Sequence, residues 1–199
     1  MSAMKTRLNQ SIESLRSRVK GRLILPGDPG YDDARRIWNA MIDRRPAVIL
    51  QCAEAADVPH AVSFSRDHEL AISIRGAGHN IAGNAVCDNG MMIDFSGMRT
   101  VRVDVENRRA QVEPGATLND VDRATQRHGL AIPLGINSTT GIAGLTLGGG
   151  FGWYWKSHNL TDISDGALDA ILQFAGRLPT AQCEIFLGWI AGAANRIPA

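Results

Sequence analysis

Between positions 135 and 152 the chain places Gly135, Gly141, Gly144, Gly148, Gly149, Gly150 and Gly152. Glycine loses the most backbone freedom on folding and has no side chain to pack, so neither a helix nor a strand concentrates it in this way. The stretch therefore predicts a loop that serves a ligand. Ile142, Leu145, Leu147 and Phe151 interleave with the glycines, which separates it from the alternative reading as a flexible linker. Small residues and hydroxyls suit a flat, phosphate-bearing molecule lying against backbone.

A second glycine loop, Arg75-Gly76-Ala77-Gly78-His79-Asn80-Ile81-Ala82-Gly83, follows a short apolar run expected to be a strand. Its glycines allow positive φ and close approach, so successive backbone N–H groups can cradle an anion such as a pyrophosphate, and Arg75 adds charge. A tight strand exit would use the same residues for structural reasons alone. Gly76 and Gly78 begin a GxGxxG, but the third glycine is displaced to Gly83 and no helical pattern follows. The Walker P-loop fails because no Gly-Lys-Ser/Thr follows the glycines. Two such loops imply one extended ligand.

The remaining pattern is mixed. Leu8, Ile12 and Leu15 predict a helix over 5–19, and Ile37, Trp38, Met41 and Ile42 predict another after Asp32 and Asp33. Asp57 and Pro59 open a third. Thr117, Asp120 and Gly129 delimit a fourth over 118–128. Strands are expected at Ala47–Leu50, Ala71–Ile74 and Met91–Phe95. Thr100–Val105 and Ala110–Val112 read as a hairpin turning through Glu106, Asn107 and Arg108. A short helix from Ser164 and a strand at Ile185–Leu187 complete an α+β reading.

With 199 residues, 44% hydrophobic and 21% charged, the chain can bury a sizeable core. A net charge of +1 with no basic stripe argues against a nucleic-acid partner. Cys52, Cys87 and Cys183 are scattered and in no CxxC spacing, so neither a disulfide framework nor a metal site is expected. No apolar run reaches the roughly 20 residues that span a bilayer, and no secretory signal opens the chain. No membrane partner and a cytoplasmic location are expected. The basic residues 1–22 also match a transit peptide in composition, as they match an ordinary surface helix.

Three segments in order, RGAGHNIAG (75–83), VEPGATLNDVDRATQRHGL (112–130) and GINSTTGIAGLTLGGGFGW (135–153), resemble the FAD-binding domain of the berberine-bridge-enzyme-like FAD-linked oxidases. These are flavoproteins of the vanillyl-alcohol-oxidase and p-cresol-methylhydroxylase type. The resemblance runs from about Arg45 to Trp153. It implies a two-subdomain FAD-binding domain at 45–162, after an N-terminal helical segment (1–44) and before a substrate-domain-like fragment (163–199). It also implies FAD held by Arg75, Gly76, Ala77, Gly78, His79, Asn80 and Gly83 on the first loop. On the second loop the implied contacts are Asn137, Thr139, Thr140, Gly141, Gly144, Gly148, Gly149 and Gly150.

In that family the histidine matching His79 bonds covalently to the flavin 8α-methyl carbon. A neutral imidazole suits the task, being nucleophilic near pH 7 where lysine is protonated. The alternative is a loop histidine that only hydrogen-bonds. Some relatives add a second bond from a cysteine, but Asn137 stands at that position, so attachment by histidine alone is expected. Cys52 and Cys87 read as packing residues. His60, His68, His128 and His158 read as surface residues.

The implied activity is oxidation of a small organic substrate, a sugar or an alcohol-bearing natural product, by hydride transfer to flavin N5 and reoxidation by oxygen. After Thr161 the chain jumps to a piece resembling the interior of the family's substrate domain, as a truncated member would. No residue matches the family's catalytic base, and none is assigned. Uncovered sheet edges predict self-association. The alternative function is an inactive FAD-binding remnant or interaction fragment.

Overall fold

The computed structural model describes residues 11–132 and 134–148. The elements are α1 (residues 11–16), β1 (Arg22–Ile24), α2 (Tyr31–Ala34), β2 (Val48–Gln51), α3 (Asp57–Asp67), β3 (Ile72–Arg75), β4 (Met91–Asp94), β5 (Val101–Asp104), β6 (Arg109–Val112), α4 (Leu118–Gln126) and α5 (Ile142–Leu147). Four strands form one sheet in the order β1-β2-β4-β3. β2 and β3 flank β4 in parallel, and β1 joins β2 antiparallel. β5 and β6 are the expected hairpin.

The two central strands explain their own composition. Parallel strands covered on both faces read as unbroken apolar runs, and Val48–Leu50 and Met91–Ile93 are fully buried. Successive side chains point to opposite faces. Val48, Leu50, Met91 and Ile93 therefore pack with Ile12 and Leu15 of α1 and Ala61 and Phe64 of α3. Ile49 and Met92 pack on the other side with Tyr31, Ala34, Ile37, Ala85 and Val86. A separate cluster of Leu118, Val121 and Leu134 sits between α4 and the hairpin residues Val101 and Val112. The arrangement is α+β, as the sequence pattern predicts.

Two helical expectations change. The helix expected after Asp32 and Asp33 stops at Ala34. Ile37 turns into the core, while Trp38 and Met41 are exposed. The backbone N–H of Trp38 donates to the Gly78 carbonyl instead of to a preceding turn, and Asn39 captures the N–H of Met41. Tertiary and side-chain partners outcompete the helical ladder there. Conversely, the second glycine stretch is not all loop, since Ile142–Leu147 forms the short helix α5. The helix predicted over 5–19 is seen in residues 11–16, and residues 1–10 lie outside the described part. The elements expected from Ser164 onward also lie outside it.

α4 matches its signature. Thr117 and Asp120 close a capping box, with Thr117 N donating to Asp120 Oδ2 at 2.7 Å and Asp120 N to Thr117 Oγ1 at 3.4 Å. Gly129 adopts φ 66°, the left-handed stop that glycine tolerates. Among the described residues β3 is an edge strand of the sheet, with Ile72 and Ile74 exposed. Among the described residues no helix is long and apolar enough to cross a membrane.

Asp57 ties the N-terminal segment to the sheet. It is buried, and its carboxylate accepts the backbone N–H groups of Lys20 at 2.8 Å, Gly21 at 3.0 Å, Ala53 at 2.8 Å and Glu54 at 3.3 Å. Burial opposes its ionisation, yet the donors of Ala53, Lys20, Glu54 and Gly21 outweigh it and hold its pKa below the ordinary carboxylate value. Nearby Cys52 is pushed up to about 12 by burial and then by the charges of Asp57 and Asp94, which makes it an inert packing thiol. Replacing Asp57→Ala leaves these donors without their acceptor, and a loss of about 2–4 kcal/mol is expected in urea unfolding. Because the folded-state pKa is depressed, the contribution is present above the unfolded value of about 3.9 and is lost as pH falls through the folded value. The gap between parent and variant should therefore close in acid.

Candidate functional site

The first glycine loop leaves the carboxyl end of β3, where Arg75 pairs in register with Asp94 of β4. Asp94 is wholly buried. It accepts Gln51 Nε2 at 3.2 Å, Ser96 N at 3.0 Å and Ser96 Oγ at 2.9 Å, and lies 3.6 Å from the Arg75 guanidinium. Arg75 Nη1 also donates to the Ala34 carbonyl at 2.6 Å. Its charge is thus placed beneath the loop, with Nε buried and unpartnered among the described residues.

The segment after α2 straps the loop from outside. Trp38 N donates to Gly78 O at 3.0 Å, Asn39 Nδ2 to Ile81 O at 2.8 Å, and Arg44 Nη1 to Gly83 O at 2.9 Å and Val86 O at 3.0 Å. Gly78 and Gly83 take φ of 76° and 80°, the conformation their position in the turn requires. The carbonyls of Gly78, Ile81 and Gly83 are occupied in this way, but among the described residues the N–H groups of Ala77, Gly78, His79 and Asn80 donate to no protein acceptor. A run of unsatisfied backbone donors over a buried cation is a cradle for an anion.

The second loop is pinned to the start of α4. Leu118 N donates to Thr140 O at 2.9 Å, Asn119 N to Ser138 O at 3.0 Å and Ile142 N to Ala116 O at 3.0 Å, and Thr117 bridges Gly141. The two loops then touch. A β-carbon on Gly141 would stand 2.9 Å from Ala77 Cβ and 3.0 Å from Ala77 N, so only glycine permits this approach. Between them opens a cleft of about 520 Å³, within the range of small-molecule sites. Its lining combines Ile74, Gly76–Ala82 and Ala85 with Thr140, Gly141, Gly144, Leu145 and Gly148.

His79 projects into this cleft, half-buried. Its ring stacks on Trp38 with centroids 5.4 Å apart and planes 20° from parallel, and its Nε2 lies 3.1 Å from Thr139 Oγ1 of the opposite loop. Burial holds its pKa below the ordinary histidine value, so the imidazole is neutral at pH 7.

Of the residues singled out in sequence, Gly76, Ala77, Gly78, His79, Asn80, Thr140, Gly141, Gly144 and Gly148 line the cleft together. Thr139 reaches it through His79, and Asn137 bonds to Thr139. Arg75 and Gly83 underpin the first loop from outside the lining. Gly149 and Gly150 lie outside the described residues. Sequence reasoning missed Trp38, Asn39 and Arg44, because the apolar spacing of Ile37, Trp38, Met41 and Ile42 mimics a helix face. Asn39 within that run and Arg44 just beyond it were the available signal.

The FAD binding domain family matches residues 46–167. An uncharacterized FAD-linked oxidoreductase of Bacillus subtilis, YgaK, is 33% identical over 157 residues, covering 79% of this chain and 35% of that protein. (R)-6-hydroxynicotine oxidase of Paenarthrobacter nicotinovorans is 34% identical over 154 residues, covering 77% of this chain and 33% of that one. Among solved structures, wild-type BBE-like 1 of Physcomitrella patens superposes with a TM-score of 0.67 at 27% identity, covering 72% of this chain and 31% of that one. The chain thus spans about a third of the length of the relatives it matches.

Two glycine substitutions separate the loop contact from loop composition. Gly141→Ala forces a methyl group into the Ala77 backbone, for a loss of about 1–3 kcal/mol in thermal unfolding and at least about a tenfold weaker FAD titration. At Gly144 of α5 an added β-carbon meets nothing within 4 Å. Gly144→Ala should therefore stabilise the chain by about 0.5–1 kcal/mol through helix propensity.

Proposed function

The chain belongs to the FAD binding domain family, among the berberine-bridge-enzyme-like FAD-linked oxidoreductases with a p-cresol-methylhydroxylase-type fold, and we propose that its cleft holds FAD covalently through His79 for oxidation of a small organic substrate. The observation that carries this reading is the run of unpartnered N–H groups from Ala77 to Asn80 with His79 among them, half-buried and facing the cleft. When bound, the flavin supplies a hydride acceptor at N5 and an electron-poor methyl carbon at position 8α.

The protein's own groups divide the work. The Ala77–Asn80 donors hold the diphosphate, with the Arg75 charge beneath them adding attraction at short range. Gly141 and Gly144 let the cofactor lie against backbone. His79, kept neutral by burial, offers a ring-nitrogen lone pair. With FAD in the cleft, that nitrogen would be the group that supplies the covalent link. The small-molecule substrate class is supported by the names of relatives such as (R)-6-hydroxynicotine oxidase.

A denaturing gel viewed under ultraviolet light after acid treatment tests the reading. The parent band should fluoresce and the His79→Ala band should not, with FAD still released from the variant on denaturation. A dark parent band would remove the covalent claim. A fluorescent parent that releases no peroxide on an alcohol and sugar panel would confine the function to FAD binding.

The pH dependence of attachment has a definite sign. Because burial lowers the His79 pKa, the neutral nucleophile persists as pH falls below the free value of about 6.5, and attachment slows only in more acid solution. Trp38→Ala re-exposes the ring, and its attachment profile should move back toward 6.5 when followed by in-gel fluorescence.

A further inference from the structure

His79 has two ring nitrogens, and only the one without a proton can attack carbon. Three hydrogen bonds decide which one that is. The N–H of Thr139 donates to Asn137 Oδ1 at 3.0 Å, which identifies that atom as the amide oxygen, since a backbone donor needs an acceptor. The same oxygen lies 2.8 Å from Thr139 Oγ1 and has no proton to give, so the threonine hydroxyl is the donor. A hydroxyl carries one proton. Toward His79 Nε2, 3.1 Å away, Oγ1 therefore presents only lone pairs, and Nε2 must carry the hydrogen.

We propose that Asn137 and Thr139 are positioning residues that hold His79 in its Nε2–H form and so make Nδ1 its nucleophilic nitrogen. This rests on the covalent reading above and specifies how the attacking atom is selected. Trp38 supplies the complementary constraint, because the stacked indole sets the ring plane while Thr139 sets which edge faces the second loop. Thr139 stands 60 positions further along the chain than His79, on the other glycine loop with Asn137. The nitrogen is therefore selected only once the two loops have docked, which couples attachment to a completed site. Asn137 occupies the position where some family members carry a second covalent attachment. Here it orients the first.

The test uses the full 199-residue chain, free of flavin and labelled with nitrogen-15 histidine, at a pH above the ordinary imidazole value of about 6.5. His79→Ala assigns the His79 signals among the five histidines. In the parent, the Nδ1 shift should fall in the unprotonated range and the Nε2 shift in the protonated range. Asn137→Ala frees the Thr139 proton to point at Nε2, so the Nδ1 shift should move toward the protonated range. Thr139→Val removes the partner and should also leave a mixture. Asn137→Asp retains an acceptor for the hydroxyl and should restore the parent pattern.

Covalent attachment, read as in-gel fluorescence against time, should slow severalfold in Asn137→Ala and Thr139→Val and return in Asn137→Asp. A parent His79 protonated at Nδ1 would overturn the proposal, as would ring shifts unchanged in both disrupting variants. Amide-signal dispersion checks that each variant is folded, and the Asp/Ala contrast at one position separates an electronic from a merely structural effect. A parent in the Nε2–H form that never acquires flavin would support the hydrogen-bond chain while removing the covalent reading beneath it.

Discussion

The buried carboxylate of Asp94 is the interaction on which the site depends. It sits at the carboxyl ends of three parallel strands, where ligands of open α/β-type sheets collect because the strand-to-loop exits converge there. Asp94 gathers Gln51 of β2, Ser96 beyond β4 and Arg75 of β3 onto one acidic group. An isolated buried carboxylate is costly, and this one is compensated by those donors together with the Arg75 charge. In exchange, the guanidinium is held under the first glycine loop, turned inward onto Ala34. Its positive potential reaches the cradle from below, leaving the cleft surface to backbone donors.

A loop rich in glycine has no inherent shape, and this one is given its shape by neighbours. The strap from Trp38 to Arg44 takes up its carbonyls, Ile42 packs where a β-carbon on Gly83 would stand, and Ala77 closes against Gly141. The result is directional. The carbonyls of Gly78, Ile81 and Gly83 are taken up by the strap, while the N–H groups of Ala77 to Asn80 keep no protein acceptor among the described residues. The second loop obtains its position from the capped start of α4, so Thr117 serves both a helix terminus and the loop through its bridge to Gly141. The hydrophobic cluster beneath α4 and the hairpin is thus what carries Thr139 and Asn137 to within reach of His79.

Much of this was legible in the chain itself. The unbroken runs at Val48–Leu50 and Met91–Ile93 announce doubly covered strands, and the Thr117/Asp120 spacing announces the α4 cap. The glycine loops announce a ligand that needs backbone contact, and the resemblance of the segments at 75–83, 112–130 and 135–153 to a known family, with His79 inside the first, is what implies a flavin. These features are local: they depend on period, capping chemistry and φ preference within a few residues. The helix read into Ile37–Ile42 failed for the same reason. Apolar spacing cannot reveal that the N–H of Trp38 has a stronger claim from the Gly78 carbonyl, a partner 40 positions away in the chain.

What the sequence by itself determined is which residue types stand in the two loops, and hence that a phosphate-bearing cofactor and a neutral imidazole belong together here. Only the tertiary structure decided how they are aimed. Arg75 faces down onto Asp94 and Ala34, Trp38 becomes a stacking platform, and Asn137 and Thr139 choose the proton position on His79. The physical reason is that charge placement, ring stacking and tautomer are set by contacts between segments far apart in the chain. Each requires distances of about 3 Å and defined angles, which residue identity and spacing leave open.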